Sequence, residues 1–276
     1  MKLTALINSP IFHRPLRRIF AVALVLALVL SVAPPARCES EERPTTALDV
    51  AFLSKYVWRG YELSNGSMVV QPSATIGYKG FGMNLWGNLD TDLAPKLDGN
   101  RDRSEPGWTE TDMTLSYSNT FGMVNAGAGY IYYGLDGMDD SQEVYASAGL
   151  DIFLAPTLTL YREVSHTPAW YLQASVSHGI ALPREMSLNL SASASYYYSD
   201  DDAFAEPNNP SEKYRDFHSG LLSASLAIPF ATYFTITPNL AYSFPLSSNA
   251  KDLLTAASIS KEASFFYGGV TCSMAF

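Results

Sequence analysis

The chain has little cysteine, little charge and no long apolar run. Two of its 276 residues are cysteines, Cys38 and Cys272, and only 16% are charged. So low a cysteine count excludes a disulfide framework, and the fold has to be stabilised by packing and strand pairing. The longest apolar run covers residues 19–32. Because a transmembrane helix needs about 20 apolar residues, a helical membrane bundle is excluded.

The first 38 residues have the composition of an export signal. Basic residues precede the apolar run, and Ala36-Arg37-Cys38 supplies small residues at the usual cleavage spacing. This pattern is typical of a secretory signal peptide. We expect residues 1–38 to be removed and residues 39–276 to form one exported domain. Cys38 raises a lipoprotein as the alternative, but Arg37 directly before it disfavours lipid attachment.

The charge that is present is mostly acidic. The formal net charge is −9, and five basic residues but no acidic ones lie before Glu39, so the remainder carries −14. Such an excess disfavours nucleic acid as a partner and favours cations, either as ligands or as permeating ions. A mean hydropathy of 0.00 suits a wall that is half apolar and half polar.

From residue 47 onward, apolar and polar residues alternate with a period of two. Leu188, Leu190 and Ala192, for example, alternate with Asn189 and Ser191. Such alternation is typical of strands with one apolar and one polar face. It predicts twelve strands, at residues 47–58, 67–79, 81–91, 108–118, 122–134, 142–154, 157–165, 169–180, 186–199, 216–228, 233–243 and 263–276.

The connections and the last residue indicate how these strands are arranged. Short connections near 80, 119–121, 155–156, 181–185 and 229–232 alternate with longer polar ones at 59–66, 92–107, 135–141, 200–215 and 244–262, with 166–168 as an exception. Phe276 closes the last strand, as in the C-terminal insertion signal of outer-membrane barrels. The sequence therefore predicts an all-β fold: a closed antiparallel transmembrane β-barrel of about 12 strands, with short periplasmic turns and mostly longer extracellular loops. A soluble sandwich would need neither feature.

Aromatic residues fall near the predicted strand ends on the apolar face, which predicts two interfacial girdles. The outer set is Tyr56, Trp58, Tyr130, Tyr132, Trp170, Tyr196, Tyr198, Tyr242 and Phe244. The inner set is Tyr78, Phe81, Tyr117 and Phe276.

The polar faces define a predicted lumen, lined on one side by small residues such as Gly127, Gly129 and Thr271. The larger pore-lining candidates are Lys55, Arg59, Asn84, Trp86, Asn88, Asp90, Glu110, Asp112, Glu143, Asp151 and Glu163. Twelve strands lie between a filled and an open barrel, so side-chain size decides. We expect a narrow wet passage with Arg59 near its outer mouth, paired with Asp90 or Asp92. The alternative is a closed plug of salt bridges.

Two stretches of the N-terminal part resemble the TorF-type porin family. Residues 54–64 read Ser-Lys-Tyr-Val-Trp-Arg-Gly-Tyr-Glu-Leu-Ser, and residues 82–88, after Gln71-Pro72, read Gly-Met-Asn-Leu-Trp-Gly-Asn. Residues 170–179 are similar as well. The chain departs from the family at Lys55 and Gly87-Asn88, where a second Asp or a Ser-Asn pair is common. The resemblance implies an exported barrel with a porin-like role.

Catalysis and metal binding have weaker support. Ser165 and His166 lie near Glu163, but adjacent strand residues point to opposite faces unless a bulge intervenes. Strict alternation points Arg162 at lipid, which predicts a bulge or snorkelling towards the interface. The 98–102 segment resembles a calcium loop, but Arg103 replaces the turn glycine and Thr109 the closing glutamate. We expect no enzyme activity, no cofactor and no metal site.

Together these features predict an outer-membrane channel of a Gram-negative bacterium. It would pass small cationic or neutral solutes by passive diffusion. A non-conducting structural or docking barrel is the first alternative, and an outer-membrane lipid enzyme is the second. The expected partners are outer-membrane lipid, lipopolysaccharide and the outer-membrane assembly machinery. A periplasmic or subunit partner stays unidentified.

Overall fold

The alternating segments pair edge to edge into a closed barrel. The computed structural model describes residues 43–64, 66–93 and 105–276. The predicted signal peptide with its cleavage site, and the calcium-like segment from residue 98 to Arg103, lie outside the described residues.

Twelve long antiparallel strands form the wall, and each pairs with its neighbour in the chain until the last closes on the first. In chain order, the elements are β1 (Thr45–Leu53), β2 (Val57–Trp58), β3 (Tyr61–Glu62), β4 (Val69–Tyr78), β5 (Phe81–Asp90), β6 (Gly107–Phe121), β7 (Val124–Leu135), β8 (Ser141–Leu150), β9 (Thr157–Glu163), β10 (Ala169–Ala181), β11 (Ser187–Ser199), β12 (Ala205–Glu206), β13 (Asn209–Lys213), β14 (Arg215–Ala231), β15 (Phe234–Pro245), α1 (Ser248–Ala257) and β16 (Phe265–Ala275). The pairs β2–β3 and β12–β13 are short hairpins that do not form part of the wall.

The outer face of the wall is apolar, as the alternation predicts. Leu85, Leu115, Leu158, Leu222 and Leu240, on five different strands, are all exposed. An apolar belt of this extent suits contact with lipid, and closing the sheet leaves no backbone edge unpaired there. The predicted fold, a closed transmembrane barrel of twelve strands, is confirmed. Within the described part of the chain, no helix is both long and apolar enough to span a membrane.

Closure is completed where the chain ends. The backbone of Phe276 exchanges hydrogen bonds of 2.9 and 3.0 Å with Thr46, and β1 pairs with β16 from Ala47 to Leu53. The Phe276 ring is exposed, on the same face as Met274 and Val270. We call this end of the barrel the inner end and the opposite one the outer end.

Eleven of the predicted strands agree with the wall strands to within a few residues. The first does not, because β1 ends at Leu53 and residues 54–64 turn away from the wall. The turn is made by Arg59 and Gly60, whose φ angles are +49° and +91°. Glycine adopts such a conformation without strain. A second difference is that β8 ends at Leu150, so Asp151 lies in an exposed inner turn and not in a strand.

Candidate functional site

Residues 54–64, which we call the lumen hairpin, fold into the outer half of the barrel. Two hydrogen bonds close the hairpin on itself: Leu63 N–H donates to the Tyr56 carbonyl at 2.9 Å, and Tyr56 N–H donates to the side-chain Oγ of Ser64 at 2.9 Å. The tip then reaches across the lumen to strands far from β1, where Arg59 meets β8, β9 and β10. The loop therefore occupies space that a simple extracellular loop would leave empty.

Arg59 anchors the tip of the lumen hairpin. Its guanidinium donates to both carboxylate oxygens of Glu143, at 2.7 and 2.8 Å, and the Tyr133 hydroxyl donates to the same carboxylate at 2.9 Å. The guanidinium carbon also lies 4.1 Å from the ring centre of Tyr171 and 4.8 Å from that of Tyr161. A two-pronged, charge-assisted pair with stacked rings holds an arginine in one orientation. The tip is locked to the opposite wall.

The base of the hairpin is tied to the segment after α1. Glu62 is fully buried and forms an ion pair with Lys55 within the hairpin. Its other carboxylate oxygen accepts from Ser260 N–H at 3.0 Å, and its own N–H donates to Ser258 Oγ at 3.1 Å. The Lys55 charge is therefore neutralised inside the hairpin and does not face an open passage.

Helix α1 covers the hairpin from the outer side. Ser247 caps the helix by accepting from Ala250 N–H at 3.1 Å, and both Ala250 and Leu254 are fully buried. Gly60 lies directly beneath, since a β-carbon there would come within 3.0 Å of Leu254 Cδ1. Asn208, in the β12–β13 turn, donates to Asp252 Oδ2 of the same helix at 2.9 Å. Hairpin, helix and outer loop form one interlocked cover.

Carboxyl groups cluster on the wall beside the hairpin. The Tyr56 hydroxyl donates to Glu110 at 2.9 Å, and the Tyr56 ring lies 5.6 Å from the Trp86 ring. Within the described residues, one oxygen each of Asp112 and Glu163 is buried with no hydrogen-bond partner. Because Arg59 is already paired with Glu143, these carboxyl groups give this part of the lumen an acidic character.

The inner half of the lumen is lined by small polar groups. Ser191 and Ser223 are hydrogen-bonded at 2.7 Å, and Asn84 donates to Ser73 and Thr75 at 2.8 Å. A cavity of about 250 Å³ lies against the hairpin tip. Its wall includes Gln173, Ser193, Ser219, Ser243 and Tyr267. A partly polar cavity large enough to hold water therefore lies against the hairpin tip.

The structure brings most of the predicted lumen residues together. Eight lie on wall strands with lumen-side contacts or register: Asn84, Trp86, Asn88, Asp90, Glu110, Asp112, Glu143 and Glu163. Lys55 and Arg59 belong to the lumen hairpin and not to the wall, and Asp151 lies in the inner turn. The prediction that Arg59 pairs with Asp90 or Asp92 is wrong, because the hairpin carries it across the barrel to Glu143.

Two girdle assignments are wrong for the same reason. Tyr56 and Trp58, expected on the lipid face, are carried inward by the hairpin; Trp58 lies 6.1 Å from the Tyr133 ring, centre to centre. The sequence reasoning also missed an aromatic cluster around fully buried His218, which contacts Tyr61 and Tyr197 at 5.3 and 5.4 Å. A usable signal was available for Tyr197, because it lies on the polar face of its strand near the outer end.

The Ser165–His166 region has a different arrangement from a nucleophile–base pair. Ser165 Oγ donates to Glu163, while His166 Nδ1 lies 2.9 Å from the Asp140 carbonyl oxygen. In the described part of the chain, no group of three or more His, Cys, Asp or Glu side chains is placed to hold a metal ion. The Asp200–Asp202 run is engaged in ion pairs, Asp200 with Arg162 and Asp202 with Lys213.

In the turn before β8, outside the wall strands, the carboxylate of Asp140 is held by hydrogen bonds. Asp140 accepts from the Tyr132 hydroxyl and from Leu135 N–H, the latter at 3.1 Å. These two bonds, the Tyr132 bond foremost, lower the pKa of Asp140 below its usual 3.8. The turn therefore carries a negative charge at the outer rim.

Comparison with known proteins extends only to the fold. No family model and no curated protein matches the chain. Among solved structures, the NanC porin is similar with a TM-score of 0.52 and 9% identity, covering 82% of this chain and 98% of that one. An outer membrane channel from Pseudomonas putida F1 and LpxR from Salmonella typhimurium both give TM-scores of 0.45, at 10% and 8% identity. They cover 88% and 84% of this chain and 99% of each of those chains. These values concern the barrel fold alone.

Proposed function

We propose that this protein is an outer-membrane, porin-like channel for passive diffusion of small polar solutes, constricted by the lumen hairpin. The observation that carries the proposal is the contrast between the two halves of the lumen. Serine, threonine and asparagine line the inner half, whereas the outer half is narrowed by one loop held through Arg59 and Glu143. A barrel needed only for rigidity would gain more stability from a packed apolar interior.

Cation preference is the finer part of the proposal. The two basic groups of the lumen hairpin, Lys55 and Arg59, are each paired with a glutamate. Four further carboxyl groups on the wall, those of Asp90, Glu110, Asp112 and Glu163, have no basic partner among the described residues. Glu110 and Asp112 are hydrogen-bonded to each other and share a proton, so the negative charge comes from this pair together with Asp90 and Glu163. Carboxylates that face a lumen raise the local concentration of cations and repel anions.

Membership of the TorF-type porins is part of the same proposal. The two stretches that carry the resemblance, residues 54–64 and 82–88, are in contact in the folded chain through Tyr56 and Trp86. Spatial contact gives a physical reason why the two motifs would occur together.

A liposome swelling assay tests the channel. Purified barrel in liposomes is expected to admit sugars below a size limit, and admission of arabinose but not of a trisaccharide would agree with a constricted lumen. Reversal potentials in a potassium chloride gradient test the cation preference separately. Entry of sugars with an anion-selective potential would reject only the finer part.

The interlocked cover favours a second candidate, a non-conducting structural or docking barrel. Lumen hairpin, α1 and the β12–β13 turn are joined by hydrogen bonds and by burial of Leu254. Liposomes that hold folded barrel and exclude every sugar would reject the channel and favour this candidate.

A further inference from the structure

In the described part of the barrel wall, the arginine side chains lie close together. Among the residues that the structure describes, the twelve wall strands contain two arginines, Arg162 on β9 and Arg215 on β14, and no lysine. Strand pairing puts both in one cross-strand row, because Arg162 is opposite Trp170, Trp170 opposite Tyr198, and Tyr198 opposite Arg215. We call these four residues the arginine row.

The arginine row lies on the lipid face at the outer end of the barrel. The Arg162 guanidinium carbon is 4.9 Å from the Trp170 ring centre, and that of Arg215 is 4.1 Å from the Tyr198 ring centre. No bulge interrupts the pairing of β9 with β8 or β10, so Arg162 snorkels to the interface, where an arginine costs about 0–1 kcal/mol. Asp200 forms an ion pair with one nitrogen of the Arg162 guanidinium. A guanidinium stacked on a ring keeps other N–H groups available for phosphate oxygens.

A groove of about 670 Å³ lies on the same strands, on the inner side of the arginine row. It exists because small alanines, Ala148, Ala174, Ala192 and Ala194, face lipid among larger neighbours such as Leu158 and Leu222. The residues lining it include none with a charge. Trp170 and Ala174 are four residues apart on β10, which is about 13 Å along a strand. That separation suits a lipid whose headgroup lies at the interface and whose chains extend into the bilayer.

We infer that the arginine row and the groove form a binding site for lipopolysaccharide of the outer leaflet. Arg162 and Arg215 bind the lipid A phosphates, and an acyl chain fills the alanine-lined groove. The charge next to the groove indicates what binds there. Both arginines lie directly outward of the groove, so a molecule with an anionic headgroup is preferred to a second apolar barrel surface. The inference rests on the membrane placement in the proposed function, and not on conduction.

Native mass spectrometry of the detergent-solubilised full barrel, titrated with lipid A, tests the site. Wild type is expected to bind one or more lipid A molecules. Arg162→Gln/Arg215→Gln is expected to bind at least about tenfold more weakly, because charge-assisted bonds to phosphate are lost. Lys79→Gln/Lys251→Gln removes the same charge elsewhere and is expected to bind like wild type.

A second variant separates charge from shape. Ala174→Leu/Ala194→Leu fills the groove without changing charge, and weaker lipid A binding is expected. Circular dichroism and heat-dependent gel mobility check that each variant is folded. Unchanged binding by the arginine variant, equal binding of dephosphorylated lipid A, or a barrel dimer in place of the lipid adduct would each overturn the inference. Sugar uptake by the same preparations reports on the channel independently.

Discussion

At the scale of single residues, the Arg59–Glu143 pair is the most consequential contact in the lumen. Removing one member of a buried pair leaves the other charge unpaired, which costs more than the pair itself contributes. The surrounding rings of Tyr161 and Tyr171 cannot replace the lost carboxylate, since they offer only a weak attraction. The stability of the docked hairpin therefore depends on Glu143.

Glu143→Gln tests that dependence. A charge-assisted hydrogen bond is worth about 1.5–3 kcal/mol, so we expect amide exchange in residues 55–63 to accelerate by about tenfold or more. Hydrogen exchange with mass spectrometry measures it. Glu163→Gln is the control, because Glu163 is opposite Glu143 in the β8–β9 register and bonds to Ser165 and His166 instead. Equal exchange in both variants would show that Glu143 does not hold the tip.

Asp140 provides a residue-scale test of pH dependence. Its pKa is lowered in the folded state, so the stabilisation of this turn is present above the usual value of 3.8 and is lost as pH falls through the lower folded value. Carboxyl-carbon NMR shifts in detergent are expected to give Asp140 a midpoint below 3.8. Tyr132→Phe removes the largest cause and should raise that midpoint towards 3.8. An unchanged midpoint would contradict this origin of the shift.

Asp90, Glu110, Asp112, Glu143 and Glu163 lie on the polar face of their strands, as alternation predicts, because period two fixes which face a residue occupies. It could not predict the partner of Arg59, because distance across a lumen depends on the path of a loop. The partner Glu143 lies 84 positions away in sequence.

At the scale of elements, the lumen hairpin is where sequence reasoning failed. Residues 54–58 alternate like a strand, and the alternation continued the first strand to Trp58. The chain bends at Arg59-Gly60, and its inward direction depends on tertiary contacts with α1 and β8. Local patterns carry no information about such contacts.

Gly60→Ala is the element-scale test. The residue has φ +91°, and an added β-carbon would lie 3.0 Å from both Leu254 and Ser219. We expect the hairpin to undock, which exposes the Arg59–Gly60 bond to trypsin. Gly66→Ala is a matched control, with φ +65° but no atom within 4 Å of the added carbon.

Peptide mass analysis after brief digestion reads the result. Cleavage after Arg59 in Gly60→Ala, with little cleavage in wild type and Gly66→Ala, is expected. Resistance of all three proteins would mean that the tip tolerates the added carbon and that close packing against Leu254 does not hold it.

At the scale of the whole molecule, the fold was readable from sequence because every strand of a lipid-exposed barrel has to repeat the same two-residue pattern. Loop alternation and the terminal phenylalanine agreed with it. The state of the lumen was not readable, since a twelve-stranded wall encloses space that an inward loop either fills or leaves open. Whether the lumen is filled or open therefore depends on a few contacts of residues 54–64.

The most direct test of the central claim is single-channel conductance in planar bilayers, comparing wild type with Arg59→Ala/Glu143→Ala. Removing both partners leaves no unpaired buried charge and releases the hairpin tip. The account predicts small, discrete, cation-selective openings for wild type and clearly larger ones for the double variant. Silence from both folded proteins, or equal conductance, would contradict a channel constricted by the lumen hairpin.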